Sequence, residues 1–183
     1  AAAAGEPPQG FVRLADVAPG IVQDMRYASA DNFTGAPVPG YKAPQCWLRE
    51  DAARALAAAQ AEAHARGFDL VVYDCYRPRR AVAAFLAWSK RAEDGTTKER
   101  YYPGLTKGEL FARGYIAEQS SHSTGHAVDL GVRGWDFGTP FDFFGETSWT
   151  ANAGVSATAR KNRAKLVSLM RRHGFANYER EWW

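Results

Sequence analysis

The run LREDAARALAAAQAEAHARGFDLVVYDCYRPRRAVAAFLAWSKR, residues 48–91, sets the architecture, because its hydrophobic period changes twice along its length. From Leu48 to Arg66, the residues Leu48, Ala52, Leu56, Ala59 and Ala63 recur at helical spacing among strong helix formers, and Gly67 stands just past the end. Phe68 to Cys75 is a short apolar run centred on Leu70-Val71-Val72-Tyr73, which predicts a buried strand. Pro78 suits the first position of a second helix, reaching about Arg91 with Val82, Phe85, Leu86 and Trp88 turned inward. Arg77 therefore sits between the tip of a strand and a helix start, with Asp74 close enough in sequence to orient it. Such a guanidinium suits bidentate binding of a carboxylate or a developing oxyanion; a structural Asp74–Arg77 pair is the other reading these residues allow.

On the N-terminal side, Phe11, Leu14, Val17, Ile21-Val22 and Met25 around Pro19-Gly20 predict two short strands about a turn, and Ser29–Gly40 is a loop rich in Asp, Asn, Gly and Pro. On the C-terminal side, Thr106-Lys107-Gly108-Glu109 has the form of a capping box, predicting a short helix to Arg113 that stops at Gly114. Tyr115–Ala117 and Ala127–Leu130 are expected as short strands. Residues 131–154 carry Trp135, Phe137, Phe141, Phe143, Phe144 and Trp149 with no clean period, an aromatic loop suited to walling a cleft. Thr158–His173 returns to helical spacing, and Phe175–Trp183 closes the chain as a strand or turn.

At 183 residues with 46% hydrophobic content, the chain is long enough for one well-packed core. The expected organisation is a flexible segment over residues 1–10 and a single domain over 11–183. No apolar run approaches the roughly 18 residues of a membrane span. The net charge of +3 is modest and the cations are dispersed, so no basic stripe marks a nucleic-acid surface. Cys46 and Cys75, the only cysteines, lack zinc-knuckle spacing; they are either two buried thiols or one disulfide of an exported protein.

Chemistry concentrates in SSHSTGHAVDL, residues 120–130, which holds His122, His126 and Asp129. Neutral imidazole and carboxylate are zinc ligands, and a catalytic zinc site takes three protein ligands and leaves one position to water. In one straight strand, residues seven apart face opposite sides, so His122 and Asp129 need the bend that Gly125 offers. Serine chemistry at Ser120, Ser121 or Ser123 beside His122 is the alternative, since triads are recognised by geometry. HExxH, GxSxG, GxxxxGK[ST] and GxGxxG patterns are absent. His64 and His173 lie near predicted helix C-termini, where a cation suits the helix dipole, and are left out of the site.

The same run closely resembles the zinc-binding motif SxHxxGxAxD of the D-alanyl-D-alanine dipeptidases, zinc D,D-peptidases related to D,D-carboxypeptidases and to the Hedgehog-like fold. ADNFTG at 30–35, YDCYRPRRAV at 73–82, FGTPFDFF at 137–144 and EWW at 181–183 resemble that family's other segments, in the family's order. The resemblance covers nearly all of the chain from residue 11. It implies an α+β fold in which helices pack on a small, mostly antiparallel sheet. It also implies one catalytic zinc ion on His122 and Asp129, Arg77 at the substrate carbonyl, Glu181 as general base, and Asp142, Tyr27 and Ser121 as substrate contacts. The implied partner is a small dipeptide, D-Ala-D-Ala. His126 falls where the motif is variable and receives no role.

One departure accompanies the match. The family motif continues Glu-x-x-His, and the third ligand would stand one residue past Trp183, so the expectation is that the chain has been cut short there. The alternatives kept beside the dipeptidase reading are a D,D-carboxypeptidase or endopeptidase acting on peptidoglycan stem peptides, and a zinc-free binding module of the same fold. The alanine-rich start and a Cys46–Cys75 pair lean toward the periplasm, whereas resistance enzymes of the family act in the cytoplasm. Nothing in the pattern specifies an oligomeric state.

Overall fold

The computed structural model describes residues 7–183; the first six residues of the expected flexible segment lie outside them. The chain runs β1 (Phe11–Arg13), α1 (Leu14–Val17), β2 (Val22–Gln23), β3 (Trp47–Arg49), α2 (Glu50–Ala65), β4 (Leu70–Asp74), α3 (Arg79–Ser89), α4 (Lys98–Tyr101), α5 (Lys107–Ala112), β5 (Asp129–Val132) and α6 (Ala157–Arg172). The fold is α+β, as expected. β1 pairs antiparallel with β3, while β4 is central in a second sheet, parallel to β2 and antiparallel to β5.

α2 is built as its sequence predicts. Glu50 and Asp51 sit in its first turn where the dipole favours anions, its face of Ala52, Ala53, Leu56, Ala59 and Ala63 is buried, and Gly67 follows it at φ +85°. Leu48, expected as its first apolar position, belongs instead to β3. Gln60 is the one polar member of the buried face. It donates to Asp69 Oδ1 and accepts from the Leu70 amide, both at 2.8 Å, so the helix pins the start of β4. The capping box at Thr106 and Glu109 forms in full.

The N-terminal expectation needs correction. The two predicted strands do not pair with each other: Leu14 begins a helical turn whose amide bonds Cys46 O at 2.9 Å, which directs β1 to β3 and leaves β2 to add to β4. Strands of two and three residues carry too little alternation to announce their partners. Tyr115–Ala117 is not a strand either, because the Tyr115 and Ile116 amides both fold back onto Leu110 O at the end of α5. Phe175–Trp183 is irregular, the turn rather than the strand. Trp183 O accepts from the Leu130 amide at 3.1 Å and the Trp182 amide bonds Ser148 O at 2.9 Å, which seats the segment between β5 and the aromatic loop.

That loop folds inward, with Phe137, Phe141 and Phe144 buried and Trp182 stacked on Phe137 at 4.2 Å. Its anchor is Arg163 of α6, fully buried, whose Nε, Nη1 and Nη2 each donate at 2.8 Å to the carbonyls of Phe137, Trp149 and Thr147. A disulfide joins Cys46 to Cys75, with Cα atoms 5.3 Å apart.

Candidate metal centre and substrate cavity

The β4–β5 register is irregular between Val72 and Asp74, and past that irregularity Asp74 lies opposite Asp129. The carboxylates at the two strand ends are thereby brought to one edge of the sheet. His122 arrives on a single turn of 3₁₀ helix, Ser121–Thr124, which ends at Gly125 with φ +83°. A Cβ on Gly125 would also run into the Phe11 ring, so both backbone and space demand glycine there. This is the bend that turns His122 and Asp129 to the same side: Nε2 and Oδ1 stand 3.1 Å apart.

The other imidazole nitrogen, Nδ1, lies 2.8 Å from Cys75 O. A carbonyl only accepts, so Nδ1 carries a proton, and in the neutral ring Nε2 is left with its lone pair toward Asp129. Metal-bound histidines have this arrangement, with the second nitrogen donating to a carbonyl or carboxylate. Burial disfavours a charged His122, but the Asp129 carboxylate outweighs it and the net shift of the pKa is upward.

Asp74, His122 and Asp129 offer ligand atoms all within 4.8 Å of one another. Asp74 is already engaged by three donors. It is fully buried, its Oδ1 accepts from Tyr41 Oη at 2.7 Å, and its Oδ2 accepts from Arg77 Nε and Nη2 at 3.0 and 2.8 Å. It fixes Arg77, as the structural reading of the pair expects, and Arg77 itself lines the cavity. Arg77 Nη1 donates to Ser120 Oγ at 3.3 Å, and Nη2 lies 3.8 Å from Asp129 Oδ2. Burial opposes the charge on Arg77, and the Asp74 carboxylate more than compensates, so its pKa rises well above the usual value.

A cavity of about 630 Å³ opens over these groups, and Tyr27, Ser121, Asp142 and Glu181 line it with Arg77, His122 and Asp129. The residues given metal, catalytic or substrate roles by the resemblance thus line one cavity, with Asp74 behind Arg77. Tyr27 and Asp142 are buried and bonded to each other, Oη to Oδ2 at 2.5 Å. Burial, reinforced by Asp129, pushes the Asp142 carboxyl up to about 8. Glu181 is raised well above the carboxylate range by burial and by Asp129 and Asp142. Asp142 also has a backbone φ of +60°. Ser121 is exposed at the rim. His126, exposed and paired with Asp51 at 3.0 Å, and His64, paired with Asp69, hold no place among the ligands.

Four carboxyl groups gather here around one guanidinium, and burial holds three of them, Asp74, Asp142 and Glu181, toward the protonated state. The chemistry of this donor set fits a cation: a metal on His122 and Asp129, and a second positive group near Asp142.

Reading the sequence missed Tyr41 and the Cys75 carbonyl, and weighed Ser120 and Ser123 only as nucleophiles, not as the supports they form here. Ser120 accepts from the His122 amide as an N-cap, and that capping position before a turn was the one local signal available. Ser123 Oγ donates to Arg77 O at 2.8 Å, and Tyr41 acts on Asp74 across 33 positions; neither announces itself locally.

Comparison with known proteins agrees with this geometry. A family model described as D-ala-D-ala dipeptidase matches residues 8–183. A D-alanyl-D-alanine dipeptidase of Enterococcus faecium is 39% identical over 180 residues, covering 95% of this chain and 89% of the relative. The dipeptidase of the same name from Streptomyces coelicolor is 40% identical over 94% and 89%. The one from Escherichia coli is 33% identical over 94% and 82%. Since the match runs through every segment that walls the cavity, the chain belongs to the D-ala-D-ala dipeptidase family, a family of metallopeptidases.

Proposed function

We propose that this chain is a zinc dipeptidase that hydrolyses D-Ala-D-Ala. The observation that carries the reading is the pair His122 Nε2 and Asp129 Oδ1, 3.1 Å apart, with the Nδ1 proton already committed to Cys75 O. His122 and Asp129 would hold the zinc, and the family pattern puts a third ligand one residue past Trp183. When bound there, zinc would polarise the scissile carbonyl and lower the pKa of water from 15.7 toward about 7.

The chain's own groups supply the rest. Arg77, immobilised by Asp74, holds positive charge where the carbonyl oxygen becomes an anion. Glu181 takes a proton from the attacking water and passes it to the departing amine; a cation on Asp129 and the substrate ammonium at Asp142 would neutralise the two carboxylates that, after burial, hold its own proton in the empty cavity, freeing it to act as the base. Asp142, steadied by Tyr27, pairs with the free ammonium of the substrate, which favours its carboxylate form and draws off the proton it holds in the empty cavity. Ser121 at the rim contacts the substrate's outer end.

Asp142 is buried on the cavity wall and bonded to Tyr27, whose ring packs on Phe33 and Phe85, and a buried acid for the substrate ammonium favours a dipeptidase over a carboxypeptidase or endopeptidase. A blocked amino terminus would have to bury without a partner for Asp142. Hydrolysis of D-Ala-D-Ala set against its N-acylated form tests the reading; preference for the blocked substrate would overturn it. The closed Cys46–Cys75 disulfide supports a periplasmic rather than cytoplasmic location.

A further inference from the structure

Glu181 lines the cavity from the irregular segment after α6, where neither helix nor strand fixes its direction. A peptide unit is planar, so the bearing of the Glu181 side chain follows from the two peptide planes that flank its Cα. The plane before it carries the Glu181 amide, which bonds Tyr178 O at 3.1 Å within the same segment. The plane after it joins the Glu181 carbonyl to the Trp182 amide, and residues 148–150 hold both of its ends. The Trp182 amide bonds Ser148 O at 2.9 Å, and the Glu181 carbonyl accepts from Thr150 Oγ1 at 2.9 Å. Thr150 also reaches further back, its amide donating to Glu179 O at 2.9 Å. Asn177 Nδ2 shares the Glu181 carbonyl at 3.2 Å, but it belongs to the same segment, so its bond shapes the turn without tying it to the rest of the fold. Residues 147–149 are fixed in their turn by Arg163, through the Thr147 and Trp149 carbonyls. Thr150 itself is half-buried and does not line the cavity.

We propose that Thr150 is a positioning residue for the general base: its hydroxyl orients the peptide after Glu181 and so aims the Glu181 carboxyl at the attacking water. The inference deepens the dipeptidase reading above and rests on its assignment of Glu181. A general base has to stand within about 2.6–3.2 Å of the proton it takes. A displacement of about 1 Å costs on the order of 10²-fold in rate. Without the hydroxyl, the plane after Glu181 keeps its anchor at the Trp182 amide and loses the one at its carbonyl, so it turns about the end still held and carries the Glu181 side chain with it. Substrate binding escapes this change, because Asp142 is steadied by Tyr27 and not by Thr150. Thr150 thus bears on the chemical step and leaves binding alone, while touching neither substrate nor metal.

Three substitutions separate this role from packing. Thr150→Val removes the hydroxyl and keeps the volume, Thr150→Ala removes both, and Thr150→Ser keeps the hydroxyl. Hydrolysis of D-Ala-D-Ala by the metal-loaded full chain gives kcat and KM, amide hydrogen exchange at Trp182 in the metal-free protein reports on the clamp without turnover, and circular dichroism reports on the fold. In Thr150→Val and Thr150→Ala, kcat should fall about 10–100-fold with KM within about twofold of the parent, and Thr150→Ser should keep kcat within about threefold. Exchange at the Trp182 amide should quicken about tenfold in the first two variants and not in the third. Unchanged kcat in Thr150→Val, beside a loss of at least about 10²-fold in Glu181→Gln, would overturn the positioning role and leave the base assignment standing. Unchanged kcat in Glu181→Gln would overturn that assignment and the proposal with it. The proposal also fails if serine does not rescue kcat, if KM rises in place of a fall in kcat, or if kcat falls with Trp182 exchange unchanged. Unfolding of both the valine and alanine variants would make the hydroxyl a prop of the fold alone, which overturns it too.

Discussion

Replacing Arg163 with methionine should cost about 4 kcal/mol of folding stability. The side chain is fully buried and donates three bonds of 2.8 Å to the carbonyls of Phe137, Thr147 and Trp149. A hydrogen bond to a charged group contributes roughly 1.5–3 kcal/mol, so the three together are worth at least about 4.5. Against this stands the cost of keeping a guanidinium out of water, visible in the lowered pKa that burial gives Arg163, and methionine escapes that cost. The net of about 4 kcal/mol is a large share of the roughly 5–15 kcal/mol that stabilises a typical domain. Urea unfolding followed by tryptophan fluorescence, with the slope against denaturant unchanged, is the measurement. The melting temperature should fall by about 8–16 °C, and Arg163→Lys, which keeps the charge but not the three-way fork, should lie between. Because the anchored loop carries Asp142, KM for the dipeptide should rise in Arg163→Met at temperatures where it is folded. A loss below about 1 kcal/mol would show that water takes over the three carbonyls and that the anchor is incidental.

Arg77→Lys should lower kcat about 10²–10³-fold with the fold intact, since an ammonium cannot grip Asp74 through two N–H groups while still facing the carbonyl; a change under fivefold would remove Arg77 from the transition state. Glu62 links α2 to α6 through Arg172 and His173, and its hydrogen bond with Arg172 is the largest cause holding its pKa at about 2. A carboxyl whose folded pKa is depressed stabilises above the unfolded value and loses that contribution as pH falls. Acid unfolding should therefore flatten between about pH 4.5 and 2 in Glu62→Gln, and an unchanged acid limb would refute the linkage. A histidine added after Trp183 should tighten zinc binding by at least about tenfold over the chain ending at Trp183, as titrated with a competing chelator; equal affinities would place the third ligand elsewhere.

The parts of the fold that could be read in advance are those where a local pattern persists: α2, β4, α3, α6 and the capping box at Thr106 each carry several turns or residues of consistent signal. β1, β2 and β3 have two or three residues each, and their pairing is decided by contacts such as Leu14 to Cys46 that lie far apart in the chain. The site divides in the same way. His122, Gly125 and Asp129 announced themselves within one motif, whereas the roles of Asp142, Tyr27 and Glu181 came only from resemblance. Tyr41 and Arg163 were illegible because each works on partners 14 to 33 positions away, where no period or spacing records it.

The left-handed backbone at Asp142 governs which substitutions can report on its charge. At φ +60° an ordinary L-residue carries a penalty of roughly 1–2 kcal/mol that aspartate and asparagine bear more easily and glycine escapes. Alanine at this position would therefore confound two losses, the carboxyl and the backbone fit, and its defect would overstate the ammonium contact. Asparagine changes the ionisable group alone. At the codon level the tolerated alternatives narrow to the few residues at ease in that corner of conformational space, so variation at position 142 is restricted by geometry before any demand of catalysis is counted.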